Sequence, residues 1–329
     1  MGHLRDGIWV EAPAATADAA GAFRRQASVH RDWITADGSL GPTGTLGYPA
    51  ESGRYHLYVS YACPWAHRTL IVRALKGLAE HVGVDVVHPL MAEGGWSFDT
   101  GFPGATGDRL GGRRFLRQVY TDHDPGATGK VTVPVLWDKH TSRIVSNESA
   151  EIVRMLNRAF DAITGARLDL APDPLLPEID AVNARVYDGL NNGVYRAGFA
   201  TTQAAYEEAA NAVFATLDWA EGRLSTHRWL VGDRLTEADV RLVTTLLRFD
   251  TVYHGHFKCN RRRLVDYPNL WAFTRELYQW PGVAETVRFD HIAFHYYASH
   301  RGINPTGIVP IGPALDWDTP HDRERRPAA

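Results

Sequence analysis

The sequence predicts an α/β domain followed by an all-α domain. Three observations carry this. Between residues 54 and 160, short apolar strand-like runs alternate with longer amphipathic runs in the order β-α-β-α-β-β-α. A cluster at Pro172, Pro174 and Pro177 then interrupts the pattern. Beyond it, nearly every periodic run has helical spacing.

Residues 1–53 are polar, with Gly and Pro clusters such as Gly38-Ser39-Leu40-Gly41-Pro42, and read as an irregular extension pinned by Phe23, Trp33 and Ile34. In the first domain, residues 54–170, strands are expected at 54–60, 84–90, 132–137 and 143–145. Helices are expected at 65–78, near 110–120 and at 148–160. The Gly-rich segment 91–112 reads as a long loop. In the second domain, residues 171–298, helices are expected at 178–197, 202–224, 236–253, 269–279 and near 290–297. Thr236-Glu237-Ala238-Asp239 has the form of a capping box. Residues 299–329 read as an extended or disordered tail, rich in Pro, Gly and charge from Asn304 onward.

Bulk properties exclude several classes. The chain has 329 residues, 44% hydrophobic, with a formal net charge of -3. This near-neutral balance gives no electrostatic case for nucleic acid or anionic membranes. No run reaches the roughly 18 apolar residues of a membrane span. Near the N-terminus no signal-peptide core is evident, and Asp6, Glu11 and Asp18 argue against a transit peptide. Cys63 and Cys259 are the two cysteines, so no disulfide framework is expected and a reducing cytoplasm fits. Lysine occurs at Lys76, Lys130, Lys139 and Lys258 alone, an Arg-rich pattern that suggests a GC-rich genome.

The chemistry centres on Cys63, between a strand and a helix whose first residue is Pro64. A thiol at a helix N-terminus faces unpaired N–H groups and the positive end of the macrodipole, which favours the thiolate. Ala66 stands where a dithiol motif would carry its second cysteine. The site is therefore expected to form a mixed disulfide that an outside thiol resolves. Val133-Pro134 opens a strand; were that bond cis, the Val133 backbone would face outward. Asn147-Glu148-Ser149 begins a helix and reads either as capping or as an anion site with Glu148 accepting from an ammonium group. Trp96, in the Gly-rich segment Gly94-Gly95-Trp96, reads as a loop anchor or a ligand contact. Tyr195, Tyr253, Tyr296 and Tyr297 are packing residues unless they face the thiol, where a phenol stabilises a thiolate or passes a proton. Cys259, beside Lys258 and Arg261, reads as a peripheral thiol. His291 and His295 share a helix face, but nearby ligands for a metal are missing, and no metal is expected.

The motifs Ser60-Tyr61-Ala62-Cys63-Pro64-Trp65-Ala66-His67-Arg68, Val131-Thr132-Val133-Pro134-Val135-Leu136-Trp137-Asp138, Ile144-Val145-Ser146-Asn147-Glu148-Ser149-Ala150-Glu151 and Ile303-Asn304-Pro305-Thr306-Gly307-Ile308-Val309-Pro310 together resemble the glutathionyl-hydroquinone reductases, the Xi class of glutathione transferases. The resemblance runs from about Trp33 to Pro313. It implies a thioredoxin-like domain, a helical transferase domain and a homodimer. It also implies cleavage of an S-glutathionyl-hydroquinone by Cys63, with a second glutathione releasing the mixed disulfide. By correspondence, Trp96, Lys130, Val131, Thr132, Val133, Glu148 and Ser149 bind glutathione. Tyr195 serves the hydroquinone, and Tyr253 and Tyr296 favour the ionised thiol. Lys130 departs from a frequent Arg and loses bidentate carboxylate binding. If the composition reflects an actinobacterial-type host, mycothiol replaces glutathione. The alternatives are an omega-like thioltransferase or dehydroascorbate reductase, and a non-catalytic transferase-like binding protein.

Overall fold

The computed structural model describes residues 2–11 and 17–325. Along the chain run β1 His3–Arg5, β2 Ile8–Val10, β3 Trp33–Thr35, β4 Gly47–Pro49, β5 Tyr55–Val59, α1 Pro64–Leu75, β6 Val82–Val86, β7 Met91–Ala92, β8 Gly95–Trp96, α2 Arg117–His123, β9 Val135–Asp138, β10 Arg143–Ser146, α3 Ser149–Arg158 and α4 Asp161–Thr164. Then come α5 Leu176–Val186, α6 Gly193–Gly198, α7 Gln203–Thr226, α8 Glu237–Arg248, α9 Pro268–Tyr278 and α10 Phe289–Ser299. Two compact units emerge. One gathers the described residues of Met1–Ala14, Gln26–Leu168 and Thr286–Ile308; the other gathers those of Ala15–Arg25, Asp169–Glu285 and Val309–Ala329.

The first unit is built on a four-stranded mixed sheet of order β10-β9-β5-β6. β5 runs parallel to β6 and antiparallel to β9. As a central strand, β5 is buried at all five residues, which is why Tyr55, Leu57, Tyr58 and Val59 form a nearly continuous apolar run. α1 and α3 pack together. The α/β order matches the sequence pattern, with boundaries shifted by one to several residues.

The expected irregular extension is partly structured. β1 and β2 form a hairpin and β3 and β4 a parallel pair. Segments of three residues are too short to show alternation, so they left no period in the sequence. Residues 30–32 also lie along the end of β10. Asp32 N–H donates to Val145 O at 3.0 Å, and Asn147 N–H donates to His30 O at 3.0 Å. The loop expected at 91–112 contains the β7–β8 hairpin, where Gly94 supplies a φ of 85° in a two-residue turn.

In the second unit the capping box forms as read, with the Asp239 carboxylate accepting from Thr236 N–H at 2.9 Å and from Leu230 N–H at 2.8 Å. Two expected helices are interrupted. Wide π turns at Tyr187–Asn191 and Phe249–Tyr253 follow α5 and α8. The tail is extended yet anchored: the Trp317 ring lies 4.9 Å from Trp271 and 5.1 Å from Tyr278, and Arg323 is fully buried. The boundary expected at 298 also differs, because α10 belongs with the first unit. His291 donates to Pro103 O at 2.7 Å, His295 to Pro89 O at 2.8 Å, and Ser299 Oγ accepts from Met91 N–H at 3.0 Å. Among the described residues, no helix is long and apolar enough to cross a membrane.

Candidate active site

Cys63 is the N-cap of α1 and Pro64 its first residue, the arrangement the motif predicts. Cys63 N–H donates to Ser60 O at 3.1 Å, and its carbonyl accepts from His67 N–H at 3.0 Å. These bonds fix the thiol at the helix mouth, half-buried. Pro64 removes one unpaired donor from the first turn without loss. Cys63 Sγ lies 3.5 Å from Val133 O, across from the peptide bond to Pro134, which is cis. Val133 N–H has no hydrogen-bond partner among the described residues.

Beside this lies a polar network around Glu148, the N-cap of α3. Its Oε1 accepts from Ala150 N–H at 3.0 Å and its Oε2 from Ser28 Oγ at 3.0 Å. The capping role thus falls to Glu148 itself, while Asn147 does something else. Asn147 Nδ2 donates to Tyr120 Oη at 3.2 Å, and Tyr120 Oη donates to Thr132 O at 3.0 Å. Burial pushes the Tyr120 phenol above its ordinary range, so it serves as a neutral linker between residues 132 and 147. Val131, Val133 and Ser149 are buried; Lys130 and Thr132 are half-buried.

Trp96 is buried on β8, its ring stacked on His295 at 4.8 Å and 22°. The His295 ring stands 5.3 Å from that of Tyr296, which is 1% exposed. Within the first unit, Cys63 meets residues 130–133 at Val133, and Tyr120 joins Thr132 to Asn147 beside Glu148 and Ser149; Trp96 and Tyr296 belong to the same unit, joined to each other through His295. Tyr195 and Tyr253 belong to the second unit, with ring centroids 6.1 Å apart. Tyr253 ends the second π turn and is fully buried. Tyr195 is half-buried on α6, with the Arg25 guanidinium 4.7 Å over its ring.

The N-terminal domain model of glutathione S-transferases matches residues 62–159, and the C-terminal domain model matches 203–276. The Escherichia coli (strain K12) protein glutathionyl-hydroquinone reductase YqjG is 58% identical over 326 residues, spanning 99% of either chain. Its glutathione-bound structure superposes with a TM-score of 0.92 at 56% identity, covering 99% of this chain and 100% of that one. Glutathionyl-hydroquinone reductase PcpF of Sphingobium chlorophenolicum is 53% identical, covering 95% of this chain and 97% of its own. A glutathione transferase Xi from Phanerochaete chrysosporium superposes with a TM-score of 0.86 at 50% identity, covering 90% of this chain and 94% of that one. The chain belongs to the glutathionyl-hydroquinone reductases, the Xi class of glutathione transferases.

Two features of this glutathionyl-hydroquinone reductase escaped the sequence reading. Ser28 lies 120 residues from Glu148, in a stretch without periodicity, and left no signal. Tyr120 fell at the end of the helix expected near 110–120 and drew no reading of its own. Cys259, expected to be peripheral, is fully buried, and burial pushes its thiol up to about 12. The neighbouring Lys258 charge acts in the opposite direction and is outweighed by burial.

Proposed function

We propose that this glutathionyl-hydroquinone reductase works through Cys63 as a monothiol nucleophile. The Cys63 thiolate attacks the sulfur of an S-glutathionyl-hydroquinone. A sulfur–sulfur bond forms and the aryl carbon–sulfur bond breaks. The bonding electrons pass to the ring carbon, which takes a proton and leaves as the hydroquinone. A second thiolate then attacks the glutathionyl sulfur of the mixed disulfide, releasing glutathione disulfide and restoring the Cys63 thiolate. The ring is reduced by two electrons and two thiols are oxidised. The observation that carries this is the placement of Cys63 at the α1 N-terminus beside Val133, with Ala66 in the following turn.

In this reading the unpaired Val133 N–H and its carbonyl receive the peptide of glutathione. Glu148 and Ser149 receive its γ-glutamyl end, Trp96 and residues 130–132 line the same site, and Lys130 faces a carboxylate. Tyr195 delivers the ring proton, supported by its correspondence to the family and by the cation over its ring. Tyr253 and Tyr296 act on the thiol as hydroxyl donors. The protein works as a homodimer in a reducing cytoplasm, consistent with two cysteines that form no disulfide.

The test offers glutathionyl and mycothiol conjugates of menadiol and of a chlorinated hydroquinone, with the matching thiol as co-substrate. Cys63→Ala abolishes turnover, and Tyr195→Phe slows it by roughly ten- to a thousandfold, spanning the usual range for a lost proton donor. Unchanged rates in Cys63→Ala would falsify the mechanism. Turnover confined to the mycothiol pair keeps the sulfur chemistry and replaces the thiol.

A further inference from the structure

The Glu148 carboxylate is held at both oxygens. Oε1 is held locally, by the N–H of Ala150 two residues on. Oε2 is held from afar, by the hydroxyl of Ser28 at 3.0 Å. Ser28 Oγ also lies 3.2 Å from Asn147 O. A serine hydroxyl carries one proton, and an ionised carboxylate is a stronger acceptor than a peptide carbonyl. That proton is therefore directed to Glu148. Each carboxylate oxygen keeps a second lone pair, so both protein bonds leave room for an incoming ammonium group. Together they stop rotation of the carboxylate about its last side-chain bond.

We infer that Ser28 is a positioning residue for Glu148, and that through it the N-terminal segment sets how strongly the site prefers thiols bearing a free γ-glutamyl ammonium. The inference rests on the reading that Glu148 receives that ammonium. The segment around Ser28 is fixed independently of the Ser28 hydroxyl. His30 N–H donates to Asn147 Oδ1 at 3.2 Å, Asn147 N–H donates to His30 O, Asp32 N–H donates to Val145 O, and Arg31 Nε donates to Glu151 Oε1 at 3.0 Å. Ser28→Ala thus removes the hydroxyl and leaves the backbone pairing in place. Ser28 is half-buried, so the change opens no core cavity.

The test measures glutathione and N-acetyl-glutathione affinity on the resting enzyme by calorimetry, together with kcat and KM for the glutathionyl-menadiol conjugate. The expected result in Ser28→Ala is a glutathione Kd and conjugate KM raised about three- to thirtyfold with kcat within about twofold, as for loosened ground-state binding. Affinity for N-acetyl-glutathione, which lacks the ammonium, should not move. Ser28→Thr should restore the wild-type constants. Glu148→Gln supplies the second arm. If it weakens glutathione selectively while Ser28→Ala does nothing, the positioning role is refuted and the γ-glutamyl site stands. If Glu148→Gln leaves the preference for glutathione over its N-acetyl form intact, the underlying reading of Glu148 fails. Equal losses for both thiols in Ser28→Ala would reduce Ser28 to a structural contact and also overturn the inference.

Discussion

Arg323 should be the residue on which the C-terminal tail depends. Its guanidinium is fully buried in the second unit, with Nε donating to Glu276 Oε2 at 2.7 Å. Its other nitrogens reach the carbonyls of Leu224 at 3.4 Å, Asn269 at 3.5 Å, His227 at 3.3 Å and Arg228. These carbonyls sit at the ends of α7 and α9, so one side chain ties two helix termini to the tail. Removing one partner of a buried ion pair typically costs about 3–5 kcal/mol, because the other charge stays buried. Glu276 is 2% exposed but keeps Arg228 Nε at 2.7 Å on its Oε1. That second cation reduces the expected loss to roughly 2–4 kcal/mol. For a domain of about 150 residues, each kcal/mol lowers the melting temperature by about 2–4 °C. Arg323→Met should therefore melt about 5–15 °C below wild type in a circular-dichroism scan. Adding Glu276→Gln should recover part of the loss, since it neutralises the stranded carboxylate. A single variant melting within about 1 °C of wild type would refute the anchoring argument.

The remaining predictions concern the cysteines and acid pH. Iodoacetamide at neutral pH should label native protein once, at Cys63, because the Cys259 thiol is fully buried and burial raises it to about 12; a second label before unfolding would contradict this. His30 is lowered to about 4, by burial first and by facing His123 second, while Asp32 and Asp124 pull the other way. An unfolded histidine binds its proton near pH 6.5, so between pH 6.5 and 4 the unfolded chain holds more protons than the folded one. Stability should thus rise with pH across that window and be lost as pH falls, by about 1–2 kcal/mol from His30 once its partial exposure is allowed for. His30→Gln should flatten the dependence of melting temperature on pH over that range, and an unaltered slope would exclude His30 as its source.

What could be read from sequence was local. Cys63-Pro64 announces itself because a helix N-terminus imposes preferences on adjacent residues, and the Thr236–Asp239 capping box is visible for the same reason. Features that depend on distant partners were hidden. Ser28 reaches Glu148 across 120 residues from a polar stretch. Arg323 sits in a charged tail whose composition argues for exposure, and the Glu276 carboxylate together with the carbonyls around it makes burial tolerable. The π turns after α5 and α8 carry the same apolar spacing as the helices they interrupt, so periodicity ran straight through them. α10 reads as one more helix of the second domain; its attachment to the first unit runs through long-range contacts, the carbonyls of Pro89 and Pro103 and the Trp96 ring among them, which no local side-chain pattern encodes.

The two cysteines divide the sulfur chemistry between them by environment. A thiol exchanges when its sulfur is accessible and its anion favoured. Cys63 meets the first condition by partial exposure and the second by its place before the first turn of α1. Cys259 meets neither, being fully buried, where loss of solvent penalises the anion. Ala66 offers no sulfur one turn into α1. An internal disulfide would need Cα atoms within about 7 Å and a reachable second thiolate, and a buried, protonated Cys259 supplies no such nucleophile. In the proposed mechanism a mixed disulfide on Cys63 waits for a thiol from solution, so turnover should depend on the concentration of that thiol even when the conjugate is saturating.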